Sequence, residues 1–244
     1  TFVVGQGLES DGMDEIRGVF RHDHMDVGVK LHQHARQIRR LVGRDASRHS
    51  QDNGFSFQHI FLFSFYIKKS LCFQYNQTDP MNEEQRGKLI RELLGGAGKT
   101  PWLEAPIHFA YGCNTTVGDH FYSNFNLTIV DDVSVTIGNC VMCAPNVTIS
   151  TTGHPVHPYY RTRGAHFSLP IVIEDNVWIG ANVMIMPGVT IGKNSVIGAG
   201  SVVTHDIPAD VVAFGTPCRV IRPITDADLE NIRPGATINE DWNW

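Results

Sequence analysis

Charge of one sign is what this chain most conspicuously lacks. Only 18% of its 244 residues are charged and the net charge is −5, so there is no basic footprint for nucleic acid or an anionic membrane, although Lys and Arg are locally dense between Lys30 and Arg48. Neither partner is implied. Long hydrophobic runs are missing too: the most lipid-like stretch, Phe55 to Ile67, falls well short of the roughly 20 residues that span a bilayer. No positively charged segment followed by an apolar one opens the chain, which begins at Thr1, so no signal peptide is read. Cysteine is sparse. Cys72, Cys113, Cys140, Cys143 and Cys218 are odd in number and scattered, the pattern of reduced thiols in an intracellular, cytoplasmic protein.

What the chain does contain is a count of six. Ile173, Ile179, Ile185, Ile191, Ile197 and Val203 form one column, with Ile171, Val177, Val183 and Val189 two positions earlier. An α-helix repeats every 3.6 residues and a strand every two, so neither keeps an aliphatic residue at every sixth position over such a length. The period belongs to a parallel β-helix with three flat faces per turn. Upstream the same phase is read through Val117, Ile129, Val135, Val141 and Val147, and through Ile137 and Ile149, giving one continuous prism from about Trp102 to Ile221. Cys143 falls on an aliphatic column, so the Cys140–Cys143 pair, despite its CxxC spacing, reads as core rather than as a metal or redox site.

Residues 151–170 carry no column. Ile149 and Ile173 are 24 positions apart, a multiple of six, so the register survives and the segment reads as a loop thrown out from the prism. Long loops of this kind are usually functional. Within it Gly153 and Pro155 frame His154, fixing the backbone around an imidazole suited to general-base chemistry. From the residues alone His154 is either that base or a structural or surface histidine.

Elsewhere, residues 79–96 read as a helix, with Asp79 capping, Pro80 in the first turn, an apolar stripe at Leu89, Ile90, Leu93 and Leu94 packing on the first coil, and Gly95-Gly96 as the stop. Thr225 to Asp228 reads as the start of a short helix ending before Pro234. Segments follow at 1–70, of no clear period; 71–101, a helical cap region; 102–221, the prism; and 222–244, a C-terminal helix and tail.

The stretch from Tyr111 to Arg222 resembles the galactoside and maltose O-acetyltransferases of the hexapeptide-repeat superfamily, a group that includes the nodulation acetyltransferases. The residues that carry the resemblance are YSNFNLTIVDD at 122–132, APNV at 144–147, TGHPVH at 152–157, NVWIG at 176–180, PGVTIG at 187–192, IGAGS at 197–201 and GTPCR at 215–219. It extends back through FQYN at 73–76. The fold implied is mainly β: a left-handed parallel β-helix with a protruding loop, an N-terminal helical segment and a short C-terminal helix.

The activity implied is transfer of the acetyl group of acetyl-CoA to a sugar hydroxyl, with no metal, in a homotrimer whose subunits share the sites. By the resemblance His154 is the general base and Asn124 lies beside base and acceptor; Asp132, Tyr122 and His166 contact the acceptor. His166 stands where relatives more often carry Glu or Met. An oxyanion donor is expected near Gly180-Ala181. The pantetheine arm is expected past Trp178, Ala181, Ala199, Ser201 and Thr204, with Arg219 and Arg222 on the phosphates, because guanidinium matches phosphate oxygens in a fork. Relatives also place an Asp and an Arg ahead of the Tyr75-Asn76 match; counting back without gaps reaches Ser56 and Phe65 instead. A trimeric scaffold that has lost acceptor binding is the non-enzyme alternative. A zinc-dependent γ-type carbonic anhydrase needs three converging histidines; beyond His154 and His157 no third has an evident coil position.

Overall fold

A computed structural model describes residues 57–230, with side chains from 66 to 229. Expectations that fall on earlier residues or on the tail, including Ser56 and the side chain of Phe65, lie outside the described residues.

Three walls of short parallel strands wind around one core. The first wall stacks Gly96–Ala97, Thr115–Val117, Val135–Ile137, Ile171–Ile173 and Thr190–Ile191. The second stacks Trp102–Leu103, Tyr122–Ser123, Met142–Cys143, Trp178–Ile179, Val196–Ile197 and Val211–Gly215, and the third Ile107–Phe109, Leu127–Val130, Thr148–Ser150, Met184–Ile185 and Val202–Val203. Every residue of the two downstream aliphatic columns is buried, as is Cys143. Each such Ile or Val contributes about 1.5–3 kcal/mol by leaving water, so the columns outweigh any exposed hydrogen bond of the structure.

The phase read in the sequence carries across the loop at Val135, Ile137 and Ile149, which stack on Ile171, Ile173 and Ile185, but fails further upstream at Val117 and Ile129. Above the loop the coils take 18 residues, Trp178 pairing with Val196 and Met184 with Val202, until the last, which takes 16, Val196 pairing with Val212. Below the loop each takes 20, Thr115 pairing with Val135 and Tyr122 with Met142. Val117 therefore stacks on Ile137, not on Val135. The two extra residues lie at the corner between the third and first walls. That wider turn is filled from inside by Asp131, whose fully buried carboxylate accepts from the Tyr111 N–H at 2.8 Å and the Thr115 hydroxyl at 3.0 Å.

The other corners need left-handed backbone, which Asn and Asp tolerate better than other side-chain-bearing residues. Asn126, Asn146, Asn176, Asn182, Asn194 and Asp210 supply it, and their side chains join coil to coil: Asn126 donates to Asn146 (2.9 Å), Asn146 to Asn182 (3.1 Å), Asn176 to Asn194 (3.1 Å) and Asn194 to Asp210 (2.7 Å). The prism is also bounded differently from the reading. It begins at Gly96, and its top is closed by Cys218–Pro223, which turns back antiparallel on Val211–Gly215.

Helix α1 (Phe57–Gln77) covers the other end and crosses the boundary expected at residue 70. Its side chains occupy the open edge of the third wall: Asn76 both donates to the Ile107 carbonyl (2.9 Å) and accepts from the Ile107 N–H (2.8 Å), and Lys69 donates to the Phe109 carbonyl (2.7 Å). An edge so paired cannot template aggregation. Helix α2 (Glu83–Leu93) starts later than the sequence suggested, because Asn82 is the cap, accepting from the Gln85 N–H, while Asp79 holds a preceding turn through the Met81 N–H. Its stripe of Leu89, Ile90 and Leu93 is buried as expected.

Candidate active site

The segment 151–170 leaves the prism at the third-to-first corner, and Val135 pairs with Ile171 as though it were absent. It is a hairpin rather than an open loop. Thr152–Gly153 pairs antiparallel with Phe167–Ser168, and a single helical turn, α3 (Pro158–Arg161), closes the tip. A Cβ at Gly153 would lie 2.6 Å from the exposed Phe167 ring, so any larger residue there would push that ring aside. Arg163 stacks on Tyr159 at 3.6 Å, and His157 caps α3 by accepting from the Tyr159 N–H at 3.2 Å.

His154 follows the ribbon directly. Its Nδ1 lies 2.9 Å from the carbonyl oxygen of Ala165 on the returning strand. A carbonyl can only accept, so Nδ1 carries the hydrogen and Nε2 is left as the basic nitrogen of an exposed ring. The ring of His166 stands 6.4 Å away, edge to face, its own Nδ1 3.4 Å from the Gly164 carbonyl.

The remaining candidates divide between two corners of the prism. Asp132 lies at the third-to-first corner, beneath the root of the hairpin, where Thr151 donates to the Val130 carbonyl. The Asp132 side chain is half-buried, and the charges of Asp132 and Asp131 join burial in pushing the Tyr111 phenol up. Thr204 is at the same corner at the top of the stack and is exposed. Asn124, Ala181 and Ala199 line the second-to-third corner, next to the half-buried Tyr122 and the exposed Met142 and Trp178 of the wall. Asn124 accepts from the Phe125 N–H through its side-chain oxygen at 2.8 Å. Burial raises the Tyr122 phenol, with the Glu104 carboxylate adding to the shift. The Gly180 N–H is spent on the Ile197 carbonyl (2.8 Å), which leaves Ala181 as the backbone donor of that pair.

Of the cofactor candidates, Ser201, Thr204, Arg219 and Arg222 each make a side-chain hydrogen bond within the chain. Ser201 is fully buried; its hydroxyl donates to the Gly198 carbonyl and accepts from the Gly215 N–H at 3.0 Å, so its side chain faces inward and ties down the end of the last wall strand, Val211–Gly215. Arg222 is paired end-on with Asp228, at 2.8 and 2.7 Å. Arg219 is exposed and donates to the Cys218 carbonyl (2.8 Å). Neither the Ala165 carbonyl nor Asp228 stood out in the sequence. The first is a backbone group, which no residue type announces. The second lay within a helix-start pattern whose charge partner was not evident.

A cavity of about 250 Å³ lies apart from these residues, between α2 and the first coil, lined among others by Tyr75, Arg86, Ile90 and Trp102. It holds none of the expected site residues. Arg86 is buried against the Tyr75 ring, its Nη2 donating to the Tyr75 hydroxyl and to the Leu103 carbonyl, which fastens α2 to the prism. Among the described residues no group of three or more His, Cys, Asp and Glu is arranged for a metal.

Comparison with known proteins bears on the same segments. Residues 170–205 match the family described as bacterial transferase hexapeptide (six repeats), and residues 68–98 match the maltose acetyltransferase hexapeptide capping motif. A galactoside O-acetyltransferase of Escherichia coli (strain K12) is 57% identical over 160 residues, which cover 66% of this chain and 79% of the relative. The solved structure of a galactoside acetyltransferase in complex with coenzyme A is 55% identical, with a TM-score of 0.67 over 68% of this chain and 83% of that one. That of a maltose O-acetyltransferase from Clostridium difficile 630 is 43% identical, with a TM-score of 0.67 over 68% and 89%. The stacked coils, the capping helices and the sequence likeness agree: the chain belongs to the hexapeptide-repeat O-acetyltransferases.

Proposed function

We propose that the chain moves the acetyl group of acetyl-CoA to a hydroxyl of a sugar, with His154 as general base. The observation that carries this is the bond from His154 Nδ1 to the Ala165 carbonyl, which in the neutral ring puts the hydrogen on Nδ1 and the lone pair on Nε2, on the most prominent excursion from the prism. The acceptor hydroxyl attacks the thioester carbon as Nε2 takes its proton. The negative charge that develops on the thioester oxygen is met by the Ala181 N–H. When the tetrahedral species collapses, the carbon–sulfur bond breaks and the imidazolium returns the proton to the departing CoA sulfur. Asn124 sits beside base and acceptor; Asp132, Tyr122 and His166 hold the acceptor. Trp178, Ala181, Ala199, Ser201 through its backbone, and Thr204 line the path of the pantetheine arm, and Arg219 and Arg222 meet the phosphates.

The division of these residues between two corners favours a site completed by a second copy. Asp132 and the His154 hairpin on one subunit face Asn124, Trp178 and Ala181 on its neighbour when prisms pack side by side, and repetition around a three-fold axis closes the assembly as a homotrimer. The exposed Trp178, Met142, Met184 and Phe125 give that contact its apolar surface. Galactosides and maltose are the acceptors named for the relatives, so the acceptor class here is a saccharide. The test is thiol release from acetyl-CoA with galactoside, maltose and glucose acceptors. Release that requires one of them supports the reading; no acceptor-dependent release with any saccharide, from protein that binds acetyl-CoA, overturns it in favour of a scaffold.

A further inference from the structure

Arg222 has five N–H donors in one plane. Three are spent: Nη1 donates to Asp228 Oδ2 at 2.8 Å and to the Pro223 carbonyl at 3.0 Å, and Nη2 donates to Asp228 Oδ1 at 2.7 Å. The two that remain are Nε–H and the second hydrogen on Nη2. They lie along one edge of the guanidinium, the edge that meets two oxygens of a phosphate side-on. Asp228 is itself held, because Oδ2 accepts from the Thr225 N–H at 2.9 Å at the start of the short helix α4 (Ala227–Glu230). The Ile224 N–H then donates to the Asp210 carbonyl at 2.8 Å, which anchors the segment to the last corner of the prism.

We propose that Asp228 is a positioning residue for the cofactor, gripping Arg222 end-on so that its free side edge is presented to a phosphate of CoA. This rests on the reading of Arg222 as a phosphate contact. A carboxylate beside an arginine also offsets its charge, which would weaken phosphate binding. At an exposed site that opposing effect is screened by water, whereas a side chain already ordered loses less rotamer freedom when the phosphate arrives. Positioning therefore outweighs charge cancellation, and removal of the Asp228 grip weakens binding.

The experiment is a double-mutant cycle on CoA affinity, measured by calorimetry on the full chain. Asp228→Asn suits it, since the retained oxygen can still accept from Thr225 while the two-pronged grip is lost. The expected result is a loss of about 3- to 10-fold in CoA affinity for Asp228→Asn, with turnover at saturating acetyl-CoA unchanged. In an Arg222→Ala background the same change should shift affinity by less than about 2-fold, because the residue acts through Arg222. If Arg222→Ala weakens binding but Asp228→Asn leaves it unchanged, tightens it, or adds independently, Asp228 only caps α4 or competes with phosphate, and the proposal is wrong while the reading of Arg222 stands. If Arg222→Ala leaves CoA affinity untouched, the reading of Arg222 is wrong and the proposal goes with it.

Discussion

His154 and Ala165 face each other across the neck of the hairpin, the imidazole Nδ1–H bonded to the carbonyl at 2.9 Å. Eleven positions separate them in sequence, yet the two-stranded ribbon at Thr152–Gly153 and Phe167–Ser168 makes them neighbours. The bond settles which ring nitrogen is basic before any substrate arrives. His154→Asn should therefore be no better a base than His154→Ala, because its amide nitrogen can reproduce the bond to Ala165 but supplies no proton acceptor of matching strength. Equal residual turnover in the two variants is the expected outcome of steady-state kinetics; substantial activity in the Asn variant would show that the ring serves only to hold the hairpin.

Thiol chemistry should separate the five cysteines sharply. Burial pushes the Cys143 thiol up to about 12 and raises Cys72 and Cys218, whereas Cys113 and Cys140 are exposed. At pH 8 only about one Cys143 in ten thousand would be a thiolate, and a thiolate is the reactive form. Iodoacetamide applied to the folded protein, followed by peptide mass spectrometry, should label Cys113 and Cys140 first. Labelling of Cys143 at the rate of Cys140 would contradict its place in the core.

The Arg222–Asp228 pair should persist far into acid. The hydrogen bonds from Arg222, helped by the Thr225 N–H, hold the Asp228 carboxyl down to about 2. A carboxyl lowered in the folded state contributes stability above its unfolded value and loses it as pH falls through the folded one. The Thr225 amide resonance should accordingly stay constant from neutral pH to about pH 3 and move only near pH 2. Movement centred near pH 4 would mean that the pair does not form in solution.

Light scattering should give the mass of three chains, and Arg219→Ala should weaken CoA binding, more so at low salt where phosphate contacts are least screened. A stable monomer that still binds CoA with full affinity would remove the shared site.

How much of this was legible depended on whether neighbours in space were neighbours in sequence count. The columns from Ile171 to Val203 were readable because each coil there takes the same 18 residues, so a fixed spacing maps onto a fixed wall. Val117 was misplaced because the corner around Asp131 takes two more, and a buried carboxylate carries no periodic signal. Asp79 and Asn82 are both good caps three positions apart; Asn82 caps the helix while Asp79 holds the turn before it. His154 stood out through its Gly–Pro frame, yet the contact of Gly153 with the Phe167 ring arises only once the hairpin has formed. The inward turn of Ser201 was hidden for the same kind of reason, since its partner Gly215 belongs to a different coil.

The most direct test of His154 as general base is turnover of the His154→Ala protein set beside its affinity for acetyl-CoA. With a saccharide that supports thiol release in the unaltered protein, kcat should fall by roughly 10²- to 10⁴-fold, the scale of losing a general base, while the dissociation constant of acetyl-CoA changes little. An unchanged kcat, with acetyl-CoA still bound, would contradict the assignment and return His154 to a structural role in the hairpin.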